Sequence, residues 1–201
     1  IKNNELFFAS EIKAIFKVPL IKRAFSHQGV YDMISYWSVI PPKTVYQDIY
    51  QVCPGEIVTW EKNELKKKKY WQLSFGKKLN NLDFDELKYR LNQEITLSVE
   101  RHLNADVPVG LYLSGGVDSS ILAAVASKMV GAKLNTFSIG FEDKNYDETH
   151  YQNILAKSLG VEHHHYNFRY KDIGRSFPDV VKHAETILFR CAPVPLFCLS
   201  K

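Results

Sequence analysis

The chain has 201 residues, of which 45% are hydrophobic and 24% charged, with a formal net charge of +4. This composition excludes a disordered tail, and no apolar run approaches the roughly 20 residues that a membrane-spanning helix needs. The small net charge argues against a nucleic-acid-binding protein, and three cysteines are too few for a disulfide scaffold. We therefore expect a cytoplasmic protein of one large or two small domains that binds neither nucleic acid nor membrane.

The first part of the chain predicts short β elements and helices. The predicted elements are a strand over 5–10, helices over 11–16 and within 25–37, and a hairpin of strands 56–60 and 65–71. The run of four lysines over 66–69 lies on the second hairpin strand. Such a run favours a solvated edge strand whose charge prevents aggregation, with phosphate binding as the less favoured interpretation.

A change of pattern marks a predicted domain boundary at 76–82, where the sequence is polar and has no periodicity. After it, apolar residues recur every three or four positions from Phe84 to Leu103, which predicts one face of a helix. Asp83 is the predicted N-cap of this helix, and Glu86 completes the pattern of a capping box.

Beyond this helix, apolar runs alternate with helical segments. Strands are predicted over 109–113, 135–141 and 161–168, and helices over 120–130, 147–159 and 178–189. Strands that alternate with helices across short connections indicate a parallel sheet with crossover helices. The second part of the chain is therefore predicted to be an α/β domain.

The most informative motif is the segment LSGGVDSS at 113–120, between the first predicted strand of this domain and the following helix. Open α/β sheets bind ligands beyond the carboxyl ends of their strands, which is where this segment lies. Gly115 and Gly116 allow a tight turn and a close backbone approach to an anion. Backbone N–H groups of the loop and of the helix start would then face the same anion.

The polar side chains of the motif fit the same interpretation. Hydroxyl groups of Ser114, Ser119 and Ser120 can donate hydrogen bonds to phosphate oxygens. Asp118 would repel a bare phosphate, so a carboxylate there makes sense if it holds Mg²⁺. The alternative is a Gly-Gly turn whose serines are helix caps. The motif lacks the lysine of a Walker A loop, so chemistry other than γ-phosphoryl transfer is expected.

This segment resembles the pyrophosphate-binding loop of the N-type ATP pyrophosphatases. Those enzymes cleave ATP between the α and β phosphates and adenylate a carboxylate or a carbonyl oxygen. GMP synthetases, NAD synthetases, argininosuccinate synthetases and tRNA-thiolating enzymes share the motif. The loop by itself therefore indicates a superfamily and leaves the substrate open.

Flanking segments narrow the resemblance to the glutamine-hydrolysing asparagine synthetases. In chain order these segments are FASEIKA at 8–14, CPGE at 53–56 with Tyr70-Trp71, DVPVG at 106–110, TFSIGF at 136–141, Asp147-Glu148, Leu159-Gly160 with His163-His164, and PVPLFCLSK at 193–201. They cover essentially the whole chain in a consistent order, which is far more specific than any one of them.

The resemblance implies two parts of a two-site enzyme. Residues 1–76 would be the C-terminal part of an α+β N-terminal-nucleophile glutaminase domain, which releases ammonia from glutamine. Residues 77–201 would begin a Rossmann-like ATP pyrophosphatase domain, which uses ATP and Mg²⁺ to adenylate the side-chain carboxylate of aspartate before ammonia displaces AMP. By the same resemblance Leu113 and Ile139 would line the ATP site, and a homodimer of the full-length protein is allowed.

Two departures from the family pattern stand out. The nucleophile of the glutaminase is a cysteine at the mature N-terminus, whereas this chain opens on Ile1, and Cys53 is interpreted as a small apolar residue. No catalytic residue of the glutaminase is therefore assigned, and the 201 residues alone are expected neither to hydrolyse glutamine nor to make asparagine. The segment Glu185-Thr186-Ile187 stands where many relatives have an acidic residue followed by proline, which puts the aspartate site in question.

Other functions stay open from the sequence. A related amidotransferase could act on another carboxylate, and a degenerate scaffold could keep the fold for partner binding, although the intact SGGVDSS speaks against decay. His163, His164 and His165 invite a metal interpretation, but consecutive strand residues point to alternating faces and cannot converge on one ion.

Overall fold

The computed structural model describes residues 1–75 and 83–201. The described chain divides into two compact units. The first unit contains the residues before the undescribed segment together with Pro178–Cys191, and the second contains those after it up to Phe177 together with Ala192–Lys201. The predicted domain boundary at 76–82 lies outside the described residues. Across the described ranges, every helix is too short or too polar to cross a bilayer.

Helices and one hairpin make up the first unit before the undescribed segment. They are α1 (Ile12–Ile15), α2 (His27–Tyr36), β1 (Glu56–Glu61) and β2 (Glu64–Lys69). Both predicted helices and the hairpin are confirmed. Strand β2 is exposed along its whole length, and its lysines pair in antiparallel register with β1, from Thr59 opposite Lys66 to Glu56 opposite Lys69. This supports the interpretation of a solvated, charged strand.

The strand predicted over 5–10 is wrong. Only a single bridge between Lys2 and Glu5 forms nearby, and Phe8 is 85% exposed. Apolar residues do not make a strand unless a neighbouring strand satisfies the backbone, and the described part of the chain supplies none at this segment.

The core of the first unit combines apolar side chains with a partly buried ion pair. Met33, Val45 and Ile49 are buried. Beside them, the Asp32 carboxylate lies 2.6 Å from the Lys43 ammonium nitrogen and accepts a 2.7 Å hydrogen bond from the Gln28 side chain. Hydrogen bonds from Lys43 and then Gln28 hold the pKa of Asp32 below its usual range. The buried carboxylate is therefore charged and paired.

A distant residue caps the short helix α1. Glu11, at its N-cap position, makes no side-chain capping bond. The Glu185 carboxylate instead accepts hydrogen bonds from the backbone N–H of Ile12 at 2.6 Å and of Lys13 at 2.5 Å. Such a cap contributes about 1 kcal/mol of helix stability. The segment noted as a departure from the family pattern therefore has a structural role within this unit.

The chain after the undescribed segment contains three parallel strands and their connecting helices. In chain order these are α3 (Phe84–Leu103), β3 (Gly110–Tyr112), α4 (Val117–Val130), β4 (Asn135–Phe141), α5 (Thr149–Leu159), β5 (Glu162–Phe168), α6 (Tyr170–Ala184) and α7 (Pro193–Leu199). The sheet order is β3-β4-β5, and both pairings are parallel. The predicted α/β class is confirmed.

Small apolar side chains hold the helices of the second unit against its sheet. One cluster joins Val99 of α3, Ala126 of α4 and Leu134 before β4, and a second joins Leu113, Ala123 and Ala156. The predicted cap of α3 is confirmed, since the Asp83 carboxylate accepts a 2.8 Å bond from the backbone N–H of Glu86.

Several element boundaries differ from prediction, among them those of β3, α4 and α6. Strand β3 ends at Tyr112, and its first and last residues are exposed. Helix α4 begins three residues earlier than expected. Helix α6 begins at Tyr170 and contains Pro178 in its interior. Proline at 178 was expected to open a helix. Instead, Asp172 accepts a 3.0 Å bond from the backbone N–H of Arg169 and stabilises an earlier start.

Candidate active site

The LSGGVDSS loop connects the carboxyl end of β3 to the first turn of α4. Leu113 is 1% exposed, and its backbone N–H donates a 2.8 Å bond to the carbonyl of Phe137 in β4. Beyond Leu113 the chain leaves the sheet and reaches the N-cap of α4 at Gly116. The loop therefore lies at the sheet edge where α/β folds bind ligands.

The backbone conformation and the neighbouring atoms of the protein both require glycine at position 115. Its φ of +85° lies in the left-handed region, which favours glycine. A Cβ at this position would lie 3.3 Å from Cβ of Tyr151, 3.4 Å from Cβ of Glu148 and 3.5 Å from Cγ of Gln152. The loop thus closes against the first turn of α5.

Gly116 is not required by the protein in the same way. Its φ of −77° suits any residue, and a Cβ there would meet only the Ser114 hydroxyl, at 3.4 Å. A side chain at 116 would therefore fill space in front of the loop without a clash. Two physical reasons for glycine remain here, its preference at the N-cap of a helix and the close approach of a ligand to the backbone.

The three serine hydroxyls are bonded within the loop. Ser119 and Ser120 donate to the Gly116 carbonyl at 3.1 and 2.6 Å. Ser114 and Ser119 hydroxyls are 2.9 Å apart, and Ser114 accepts from the Gly116 N–H at 3.3 Å. Since Ser119 has only one hydroxyl proton, Ser114 is the donor to Ser119. These hydroxyls would have to rotate to bind phosphate oxygens as the sequence predicts.

Backbone donors at the start of α4 are free to bind an anion. The first three helical residues, Val117, Asp118 and Ser119, have N–H groups without intrahelical acceptors, and Gly116 provides no side-chain cap. The helix dipole adds a partial positive charge at the same end. An oxyanion in front of this turn would therefore be bound without further rearrangement of the backbone.

Asp118 fits the predicted magnesium role. It is the second residue of α4, is exposed, and makes neither a hydrogen bond nor an ion pair within residues 1–75 and 83–201. No group of three or more metal-binding side chains occurs in these ranges. A single carboxylate is sufficient where substrate phosphates and waters supply the other ligands, as is usual for Mg²⁺.

Ile139, the residue predicted on β4, comes close to the loop through a side chain that sequence reasoning missed. The Gln152 amide of α5 donates to the Ile139 carbonyl at 3.1 Å and to the Ser114 carbonyl at 3.4 Å. The structure thus brings 113–120 and 139 to one edge of the sheet. No motif singles out Gln152, since a glutamine on a helix carries no recognisable signal.

The predicted alternation of the three histidines on β5 is confirmed. His164 faces away from its neighbours, stacks on Phe137 with ring centroids 5.0 Å apart, and donates a 3.0 Å bond from Nε2–H to the amide oxygen of Asn135. His163 and His165 share one face, where both rings contact the Ser138 hydroxyl at 3.0 Å.

The hydrogen bonds of His163 fix its tautomer. Thr136 donates its only hydroxyl proton to the Glu162 carbonyl at 3.0 Å, so it accepts from His163 Nδ1 at 2.9 Å. His163 Nε2 then accepts from Ser138. Burial, followed by the charges of His165 and His164, lowers the pKa of His163, so the neutral ring is favoured.

This arrangement predicts acid sensitivity. Because the folded-state pKa of His163 is depressed, the unfolded chain takes up a proton first as pH falls below about 6.5, so stability is full above that pH and declines below it. His163→Gln should reduce the slope of the free energy of unfolding against pH by at most about 1.4 kcal/mol per pH unit. Melting temperatures between pH 7.5 and 5.5 would measure it, with exposed His27→Gln as control. Equal pH profiles for wild type and His163→Gln would contradict the expectation.

Comparison with known proteins gives two family matches. The family model for asparagine synthase matches residues 90–201, which is more than half of the chain. The model for a glutamine amidotransferase domain matches residues 1–71.

Individual relatives agree with these matches. Asparagine synthetase [glutamine-hydrolyzing] 1 of Bacillus subtilis is 30% identical over 99% of this chain and 31% of its own length. A Methanocaldococcus jannaschii protein provisionally named asparagine synthetase [glutamine-hydrolyzing] 2 is 34% identical over 84% of this chain and 33% of its own length. Amidase chyE of Penicillium rubens is 30% identical over 73% of this chain and 24% of its own length. The chain thus spans about a third or less of these relatives, and it belongs to the asparagine synthase family.

Proposed function

We propose that the protein to which this chain belongs is a glutamine-hydrolysing asparagine synthetase. The observation that carries the proposal is the loop between β3 and α4. At the carboxyl edge of a parallel sheet it presents three backbone donors and the Asp118 carboxylate, all without partners among residues 1–75 and 83–201. The matches to asparagine synthase and to a glutamine amidotransferase domain support the same conclusion.

The proposed reaction has two steps at this site. A side-chain carboxylate oxygen of aspartate attacks the α-phosphorus of ATP, the bond between the α and β phosphates breaks, and pyrophosphate leaves. Ammonia from glutamine then attacks the acyl carbon, loses a proton, and displaces AMP to give asparagine. Adenylation is needed because AMP is a far better leaving group than hydroxide.

Residues of this chain would act mainly on the departing pyrophosphate. Backbone N–H groups at the start of α4, with the hydroxyls of Ser114, Ser119 and Ser120 after rotation, would stabilise the charge that develops on it. Gly116 would allow the pyrophosphate to approach the loop backbone closely. Leu113 and Ile139 would line the nucleotide site beside the loop.

Asp118 is the residue proposed to hold Mg²⁺. When bound there, the ion would neutralise phosphate charge and orient the phosphate chain. The exposed carboxylate at the second position of α4 points to this role because it has no other partner in the described residues.

The domain arrangement is part of the proposal. Residues 1–76 would close a glutaminase domain and residues 77–201 would open the ATP-binding domain, which agrees with the separate family matches on either side of residues 72–89. The glutaminase would supply ammonia from glutamine within the same protein. A cytoplasmic location is consistent with these small-molecule substrates.

A related amidotransferase acting on a different carboxylate is the second candidate. It is favoured by the relative that is named an amidase, and by Glu185, which caps α1 within the first unit. Because the Glu185 carboxylate already accepts hydrogen bonds from two backbone N–H groups of α1, it is not free to bind the aspartate substrate.

Pyrophosphate exchange would test the proposal and separate the two candidates. The full-length protein, incubated with ATP, Mg²⁺ and labelled pyrophosphate, should incorporate label into ATP when aspartate is present. Glutamate and other dicarboxylic acids are the matched controls. Exchange that depends on another acid and not on aspartate would favour the second candidate, and binding of ATP without exchange would favour a scaffold.

A further inference from the structure

The side chain of Gln152 is buried between the ends of two strands. It projects from α5, is 2% exposed, and its amide nitrogen lies 3.1 Å from the Ile139 carbonyl oxygen and 3.4 Å from the Ser114 carbonyl oxygen. Both neighbours are acceptors, so the amide nitrogen must face them and the orientation of the amide is fixed.

The two carbonyls lie just beyond the part of the sheet where β3 pairs with β4, although Ile139 is still paired with Tyr166 of β5. Backbone pairing of β3 with β4 runs from Gly110 opposite Asn135 to Tyr112 opposite Phe137. The bond from Leu113 N–H to the Phe137 carbonyl is the last contact of this ladder. Past that point the strands separate, and their carbonyls need donors from elsewhere. One amide group supplies both.

This contact joins the loop to β4. Ser114 opens the LSGGVDSS loop, and Ile139 is the residue of β4 proposed to line the nucleotide site. The same turn of α5 also faces Gly115, where an added Cβ would lie 3.5 Å from Gln152 Cγ. Gln152 therefore bonds Ser114 and also occupies the space that a side chain at the next residue would need.

The other amide atom is unfavourably placed. Gln152 Oε1 is buried and has no hydrogen-bond partner among the residues that the structure describes. A buried acceptor without a donor is unfavourable. Methionine would fill nearly the same volume without this penalty but would leave the Ser114 and Ile139 carbonyls without this donor, so the two bonds to those carbonyls are what the amide supplies here.

We propose that Gln152 is a positioning residue of the nucleotide site, which holds the Ser114 and Ile139 carbonyls at a fixed separation so that the loop is preorganised for the phosphates of ATP. The inference rests on the proposed function, since it assigns the loop to a nucleotide. Gln152 acts through the loop backbone and is not assigned a contact with ATP.

Gln152→Met in the full-length protein tests this by removing the donor and keeping the volume. The KM for ATP in pyrophosphate exchange should rise about tenfold, while kcat changes by less than about twofold. Gln152→Glu should behave similarly, because an ionised carboxylate cannot donate to two carbonyls. The matched control is Asn153→Met, at the exposed neighbouring position, with an unchanged KM.

A structural role would give a different result. If Gln152→Met loses kcat through a smaller folded fraction and keeps the wild-type KM for ATP, the inference is wrong. Should that variant fail to fold, Gln152→Asn decides the question, because it keeps the amide and withdraws it by one methylene. A wild-type KM for Gln152→Asn would then overturn the inference.

Direct titration with ATP separates this inference from the proposed function. If the wild-type protein binds ATP but none of the tested acids supports pyrophosphate exchange, the proposed function is contradicted. Weaker ATP binding by Gln152→Met would still support the positioning role, and equal binding would refute it. Wild-type protein that does not bind ATP would overturn both.

Discussion

Asp118→Ala is expected to lower ATP–pyrophosphate exchange by the full-length protein about a hundredfold or more. Metal-assisted charge stabilisation is worth several kcal/mol, and each 1.4 kcal/mol is about a factor of ten in rate. The effect should appear in kcat and should lessen at high Mg²⁺ concentration, because the variant would still bind ATP through the loop backbone. Exchange kinetics at several Mg²⁺ concentrations would measure it.

Asp85→Ala is the matched control. Asp85 is the second residue of α3, just as Asp118 is the second residue of α4, and both are exposed. Each substitution removes one negative charge from the first turn of a helix, where it is worth about 0.3–1 kcal/mol of stability. Equal exchange by the two variants would therefore show that Asp118 does not hold the metal.

Alanine at the two loop glycines should separate binding from folding. Gly116→Ala should weaken ATP binding about tenfold or more, the equivalent of about 1.4 kcal/mol, while leaving the melting temperature nearly unchanged. At a φ of −77°, alanine gains stability through the unfolded chain, about 0.4–1 kcal/mol, and loses a similar amount as an N-cap residue. Its methyl group would occupy space that the ligand needs.

Gly115→Ala should weaken both properties. A non-glycine residue at a φ of +85° costs about 1–2 kcal/mol, and the new methyl group would press on Tyr151 and Glu148 of α5. Calorimetry and ATP titration of both variants would measure the two effects. Wild-type ATP affinity in Gly116→Ala would contradict a phosphate site at this loop, whatever the stability of either variant.

The sequence predicts the second unit well because its signals are local. Residues 135–141 form a strand with both ends as predicted, and helix ends at Gly131 and Gly160 follow from backbone that favours glycine. The hydroxyl bonds of the loop between β3 and α4 are also local, since they join its serines to one another and to Gly116.

Long-range contacts explain what the sequence does not predict. The start of α6 is a local exception, since it depends on a bond from Arg169 to Asp172 only three residues later, and arginine gives no N-cap signal. The apolar segment 5–10 lacks a pairing partner in the described residues, which no local pattern can show. Gln152 gains its place from two carbonyls 13 and 38 residues away in the sequence. Such contacts are properties of the fold, so they become visible only with it.

The cap on α1 has a consequence for how the protein is made. Glu185 follows Ile12 by 173 residues, and the first unit takes in both. At roughly 5–20 residues per second, a ribosome needs about 10–35 s to synthesise that stretch. During this time α1 waits without its cap while the strands of the parallel sheet emerge. The first unit is therefore completed only after the three strands of the parallel sheet have been synthesised, and a nascent chain that stops before Glu185 lacks this cap.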